Sequence, residues 1–453
     1  MKAVAHLFAL LALLMSAAMP AFAAPMTHHI ANPGINFDLA AGPYLRGSYI
    51  GSDLARSIHK SAAGTLLSNI AIVPGYAFTR SGTTAYAENT AGLLLPFATN
   101  IARVTDKGLL SEVQRTNLLL YSEDLTNAVY TKTDSTITAN SITAPDGSQT
   151  ADLVTEGSAG TALVGQAATV SASSTQSYSL MLKRGNTDWV SISVVDTITP
   201  VNFYRTYINL ATGALGTGDA SGVATFVAHR VQPLANGFYR VTLTGTIGTG
   251  TSVECRSRTA SGDGGGRVNN GSYYRWGNQL AVSVFAASYI PTTSATTTRG
   301  ADSLAFTGLN LSGNYTIMAE IDASAISTAT GYSAQHVVEL SDGTDNNKVS
   351  LIRATSGALQ FRGTVGGSAQ TATIASSQAA GTYRVIGVKS GDNFTVYAAG
   401  AAGTTVSAAG MPAMTEIALG SGRAATNSLN GYLVRHFILP LAMPAAEAQA
   451  WTQ

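Results

Sequence analysis

A chain of 453 residues with a formal net charge of +1 and only 11% charged side chains has no basic field to draw in a phosphate backbone, which excludes nucleic acid as a partner. The length is enough for two or three domains. A single cysteine, Cys255, excludes an internal disulfide, so stability must come from buried apolar cores or from association.

Met1-Lys2, an apolar run over 3–19 and the small-residue site Ala21-Phe22-Ala23 form a secretory-signal pattern over 1–23, so export with a mature start at Ala24 is expected. The run is short for a bilayer span and Pro20 interrupts it. Residues 24–114 are irregular, with turn signals at 38–43 and 72–75 and a helical reading only around 53–67. Short apolar runs divided by Gly, Ser, Thr, Asn and Asp follow from Arg115 onward, the pattern of sandwich strands. In 187–195 the alternation puts Val190, Ile192 and Val194 on one face and Trp189, Ser191 and Ser193 on the other. In 201–210 it separates Tyr204, Ile208 and Leu210 from Phe203, Arg205, Tyr207 and Asn209.

After Ile290 a Pro/Thr-rich link leads to a new set of strands at 314–321, 336–340, 349–352, 358–361, 383–388 and 394–397. A strand over 429–439, apolar on both faces, and a short helical piece over 443–451 close the chain. The Ala/Ser/Thr/Gly-rich pieces at 366–380 and 400–410 read as loops or weak strands. The expected fold class is all-β: a jelly-roll sandwich over 115–302, a second sandwich over 303–453, and a short irregular segment over 24–114. The halves are expected to separate near 302–307, with a fragment of about 308–453 folding alone.

No recognisable catalytic constellation stands out. The chain has no Gly-x-Ser-x-Gly elbow, no His-Glu-x-x-His and no Walker loop, and the Gly-rich run 261–267 reads as a hairpin loop. Glu123, Asp124, Glu320 and Glu339 are candidate carboxylates for glycoside hydrolysis, but nothing in the sequence brings two of them together. The leading expectation is therefore a non-enzymatic protein without a cofactor, a secreted glycan-active enzyme being the third alternative. The histidines are scattered, His28 and His29 being adjacent rather than spaced for a metal. The run 342–347 is dense enough in Asp and Asn oxygens for a structural calcium, but without a following Glu at EF-hand spacing it reads rather as an Asp-Gly turn between strands. Cys255 has Arg256 and Arg258 nearby, which could lower its thiol pKa, but no histidine near it in sequence, and reads as an ordinary strand position. The remaining candidate is an aromatic and polar platform for a sugar: Trp189, Phe203, Arg205 and Tyr207, with Ser191, Ser193 and Asn209 alongside.

Two groups of residues carry a resemblance. Gln114-Arg115-Thr116-Asn117-Leu118-Leu119-Leu120 with Ser122-Glu123-Asp124-Leu125, then Tyr289-Ile290-Pro291-Thr292-Thr293 and Thr298-Arg299-Gly300-Ala301-Asp302, resemble the two ends of the jelly-roll carbohydrate-binding-type module of phage tail and virion proteins. Asn236–Leu243 and Trp276–Leu280 resemble two of its internal strands, with Ala281 where the family usually has Glu. The 429–451 ending looks like that of concanavalin A-like (laminin-G-like) lectin domains. The resemblance implies a virion or tail structural protein that contacts host-surface glycans and other tail proteins, often as a homotrimer, with 24–114 as a connector or attachment segment. The signal-like start departs from that context and points to the alternative, an exported bacterial lectin or adhesin.

Overall fold

A computed structural model describes residues 76–453, apart from 159, 324–333 and 375–380, preceded by the strand pieces Ile50–Asp53, Ile58–Lys60 and Leu66–Ser68. The signal-like segment 1–23 and the histidine pair His28 and His29 lie outside the described residues. The helical reading around 53–67 gives way to Ile58–Lys60 pairing antiparallel with Leu66–Ser68. In the sequence, Gly64 and the β-branched Ile58 and Thr65 lower the helix propensity of that stretch.

The first sandwich has two six-stranded antiparallel sheets. One runs Tyr130–Thr133, Leu163–Thr169, Ser252–Ala260, Trp189–Asp196, Phe203–Asn209, Leu215–Ser221. The other runs Ser135–Ile142, Ala151–Glu156, Ser272–Val282, Gln176–Arg184, Tyr239–Thr246, Thr225–Pro233. Period-two alternation delivers Val190, Ile192, Val194, Tyr204 and Ile208 from one sheet against Tyr178, Leu180, Leu182, Val241, Leu243 and Leu280 from the other. All of these are fully buried. The two ends that carry the resemblance meet as a ribbon, Arg115–Asn117 pairing with Thr297–Arg299. Buried Asn117 fastens it, its Nδ2 donating to the carbonyls of Asn278 (3.0 Å) and Ile290 (2.9 Å). Its Oδ1 accepts from the amides of Leu119 and Leu280, both at 3.1 Å.

The second sandwich packs a seven-stranded sheet on an eight-stranded one. The first orders Ser368–Ile374, Leu359–Val365, Lys348–Arg353, Gln335–Ser341, Met414–Leu419, Ser303–Leu311 and Tyr76–Thr79. The second orders Ala401–Ser407, Asn393–Ala398, Thr382–Ser390, Tyr315–Asp322, Gly431–Leu439, Gly108–Ser111 and Val104–Thr105, with Ile50–Asp53 also on Gly431–Leu439. The segment ahead of Arg115 thus supplies strands to both sheets, and Ala102, Val104 and Leu109 enter their common core. A cut at 308 would divide the strand Ser303–Leu311, whose partners are Met414–Leu419 and Tyr76–Thr79, so the expected 308–453 fragment misplaces the start of this unit. The weakly patterned pieces at 366–380 and 400–410 contain the outermost strands Ser368–Ile374 and Ala401–Ser407, where half-exposed small residues give little alternation. Gly431–Leu439 is central, its Leu433 and Ile438 in the core and its Phe437 packed with Met443 and Ala448 around the helix Ala445–Trp451.

Where the lead-in, the jelly roll and the second sandwich meet, three guanidiniums and two carboxylates are buried together. Asp302 pairs with Arg80 (3.4 Å), Arg103 and Arg299 (3.4 Å) and accepts the Glu112 amide at 2.9 Å. Glu112 pairs with Arg103 (2.8 Å) and Arg299 (3.3 Å) and accepts from the Ser288 amide and hydroxyl. Burial alone would raise the Glu112 carboxyl; the Arg299 and Arg103 charges outweigh it and hold the group well below the usual carboxylate range. Other Nη groups of these arginines donate to main-chain carbonyls, among them Phe97, Ala98, Ile101, Tyr86 and Val113, while the Nε atoms of Arg80, Arg103 and Arg299 are buried without a hydrogen-bond partner.

Candidate functional site

The outward face of the sheet containing Trp189–Asp196 brings the sugar-platform residues together. With Val190, Ile192 and Val194 committed to the core, Trp189, Ser191 and Ser193 project the other way. Register then sets their neighbours. Ser193 lies across from Arg205 on one side and Arg256 on the other, and Ser191 lies between Tyr207 and Arg258. Arg205 lies across from Asp219 of the edge strand.

Arg205 is held from three sides. Its Nε and Nη2 each donate to Asp219 at 2.8 Å, and its guanidinium carbon lies 5.1 Å from the Phe203 ring centre and 5.4 Å from that of Tyr207. The hydrogen bonds it donates to Asp219 raise its pKa. Phe203 and Trp189 are half-buried. Trp189 leans toward the edge strand, where a Cβ on Gly216 would come within 3.0 Å of its ring, so that glycine leaves room for the indole. Asp263 secures the neighbouring loop by accepting from the Thr217 amide (2.7 Å) and hydroxyl (2.8 Å), so the Gly-rich 261–267 run is tied to this face.

Tyr207 departs from expectation. Alternation puts it on the wet face, but it is only 2% exposed. The Arg205 guanidinium stacks on it and a register irregularity between Thr206 and Ile208 disturbs the adjoining edge strand. It therefore supports Arg205 rather than offering a stacking surface. Arg256 and Arg258, considered in the sequence only as neighbours of Cys255, belong to this face. The alternation Val253, Cys255, Ser257 inward implies Glu254, Arg256, Arg258 outward, and that signal was available. What the sequence lacked was the register that sets them beside Ser191 and Ser193. Cys255 is buried, which pushes its thiol pKa up and leaves it unreactive.

The scattered carboxylates do not converge. Glu123 accepts from the Tyr289 hydroxyl at 2.8 Å in the jelly roll, and neighbouring Asp124 caps the Thr126 amide at 3.0 Å. Glu320 pairs with Arg384 (3.1 Å) and Arg435 (3.4 Å) on the outer side of one sheet of the second sandwich, and Glu339 lies on the opposing sheet. Asp342 is engaged by Thr344 (2.9 and 2.6 Å) and by the Asn347 side chain (2.7 Å), an Asx-type turn.

Glu339 is buried. Burial would raise its pKa, but hydrogen bonding and charge from His336, with the Arg423 amide and Lys348, pull it down to about 2. A carboxyl depressed in the folded state stabilises above its unfolded pKa, and that contribution is lost as pH falls from the ordinary 4.5 toward about 2. Glu339→Gln is therefore expected to lower stability at pH 7, with the gap to the parent narrowing across that window in urea melts at stepped pH.

No protein-family model and no curated protein sequence matches the chain. Among solved structures it is similar to a native SAP-like pentraxin of Limulus polyphemus (15% identity, 33% of this chain and 75% of that one, TM-score 0.26). It is also similar to the CBM40 of a Ruminococcus gnavus IT-sialidase bound to α2,6-sialyllactose (12% identity, 32% and 85%, TM-score 0.27). A third is the LG4-5 pair of the mouse laminin α1 chain (13% identity, 60% and 85%, TM-score 0.22).

Core and face differ in what substitution should cost. Ile192→Ala opens a cavity in a fully buried layer and is expected to lose about 3–4 kcal/mol. Trp189→Ala, half-buried, is expected to lose about 1–2 kcal/mol. Equilibrium urea unfolding of the two variants checks the order.

Proposed function

We propose that this is a non-enzymatic glycan-binding protein of virion or tail type, whose jelly roll contacts surface polysaccharide through the outward face bearing Trp189, Phe203 and Arg205. The observation that supports it most is the combination on one face of half-exposed aromatic rings, a fixed guanidinium and the half-exposed Ser193 hydroxyl. Sugars are held in this way, their C–H faces on rings and their hydroxyls on polar neighbours. The tail context, other tail proteins as partners and a homotrimeric state follow from the resemblance of the 115–125 and 289–302 motifs. The signal-like start favours a second reading, an exported bacterial lectin or adhesin using the same face.

Glycan-array binding followed by calorimetry tests the shared claim: the parent binds at least one saccharide, and Trp189→Ala weakens that binding. A parent that binds none overturns it. Release of reducing sugar from the bound polysaccharide would overturn the non-enzymatic part. Intact mass separates the two contexts, a mature start at Ala24 supporting export and retention of Met1 supporting cytoplasmic assembly.

A further inference from the structure

Charges on the outward face are not evenly matched. Both donor atoms that Arg205 turns to Asp219 are engaged, and Arg256 donates to Glu254 at 2.7 Å. The Glu254 and Arg256 side chains lie over Gly165, where an added Cβ would come within 2.5 Å of the Glu254 carboxylate and 3.2 Å of Arg256 Cγ. That carries Arg256 away from the serines. Arg258 differs. Its Nε donates to Ser191 Oγ at 3.3 Å, which turns the side chain toward the middle of the face, and among the described residues it has no carboxylate partner. It is half-buried.

We propose that the saccharide bound here is anionic, bearing a carboxylate or sulfate, and that the terminal amino groups of Arg258 receive that group. This rests on the reading of the face as a glycan platform. Two lines of chemistry carry it. A guanidinium presents parallel N–H donors that match a carboxylate or sulfate in a two-point contact. A neutral sugar laid on the same face would strip water from a half-buried cation and return no counter-charge, so the site disfavours it. The distances suit one residue of a polysaccharide. Trp189 and Ser191 are two apart on one strand, roughly 7 Å, with Arg258 directly across from Ser191, so one ring on Trp189 can place its acidic substituent at Arg258.

Galacturonate trimer, neutral galactotriose and 6-sulfated galactotriose differ chiefly at the sixth carbon, and calorimetry with each on the full chain tests the proposal. The expected result is binding of one or both charged trimers at least about 10-fold tighter than the neutral one. Arg258→Gln should abolish that preference by bringing the charged and neutral affinities together, and Arg258→Lys should restore part of it. The preferred charged arm distinguishes a uronate source from a sulfate source. Equal affinity for charged and neutral trimers, or a preference that survives Arg258→Gln, overturns the anionic assignment and leaves the glycan face standing. Failure of the parent to bind any saccharide, with Trp189→Ala inert, overturns the face itself. Thermal melts of each variant exclude loss of folding as the cause.

Discussion

Asp302→Ala is expected to lower the unfolding free energy by about 3–5 kcal/mol, because it leaves three buried guanidiniums facing one carboxylate. Asp302 is 1% exposed, so water cannot replace the missing charge, and the Glu112 amide also loses its acceptor. The contrast is the Arg184 and Asp188 pair, each about half exposed, where Arg184→Ala is expected to change stability by under about 0.5 kcal/mol. Urea unfolding of the two variants measures both. An Asp302→Ala loss below about 1 kcal/mol would show that the cluster does not stabilise the junction.

Residues 303–453 expressed alone are expected to show no cooperative melt. The fragment lacks Ala102, Val104 and Leu109 from the core and exposes the flanks of Ser303–Leu311 and Gly431–Leu439, which Tyr76–Thr79 and Gly108–Ser111 otherwise pair. It also keeps Asp302's neighbouring strand without the arginines that anchor it. Restoring 76–117, joined through a short flexible link to 297–453, is expected to recover a cooperative transition, since the strands Tyr76–Thr79, Val104–Thr105 and Gly108–Ser111 and the Arg115–Asn117 ribbon are then back in place. Calorimetry on the two fragments decides. A sharp melt from 303–453 alone would make the lead-in dispensable.

How much of this was legible depended on whether the information was local. Alternation in 187–195 and 201–210 assigned Val190, Ile192 and Val194 to the core, and Trp189, Phe203 and Arg205 to the other face, because side-chain direction in a strand follows from position alone. Tyr207 failed because its burial depends on Arg205 stacking over it, a contact that direction does not specify. Arg258 was overlooked for a related reason: its importance lies in the strand beside it, and register between strands distant in sequence leaves no periodic trace. The lead-in strands were invisible because Val104–Thr105 and Gly108–Ser111 are too short to show a period and the second partner of Gly108–Ser111, Gly431–Leu439, lies far along the chain.

The pairing of Gly108–Ser111 with Gly431–Leu439 also sets an order of events as the chain is made. Every strand of the jelly roll is complete once residue 299 has been synthesised, so that sandwich can close while synthesis continues. The strands Tyr76–Thr79 and Gly108–Ser111 belong to the other sandwich and wait through that whole interval, since their partners begin at Ser303 and Gly431. Termination before residue 431 thus leaves one edge of the apolar early strand Gly108–Ser111 open on a chain whose middle is already folded, a species prone to association with its own kind. A chain stopped before residue 431 is therefore expected to aggregate rather than give a shorter folded protein, and sedimentation of such a truncated chain checks it.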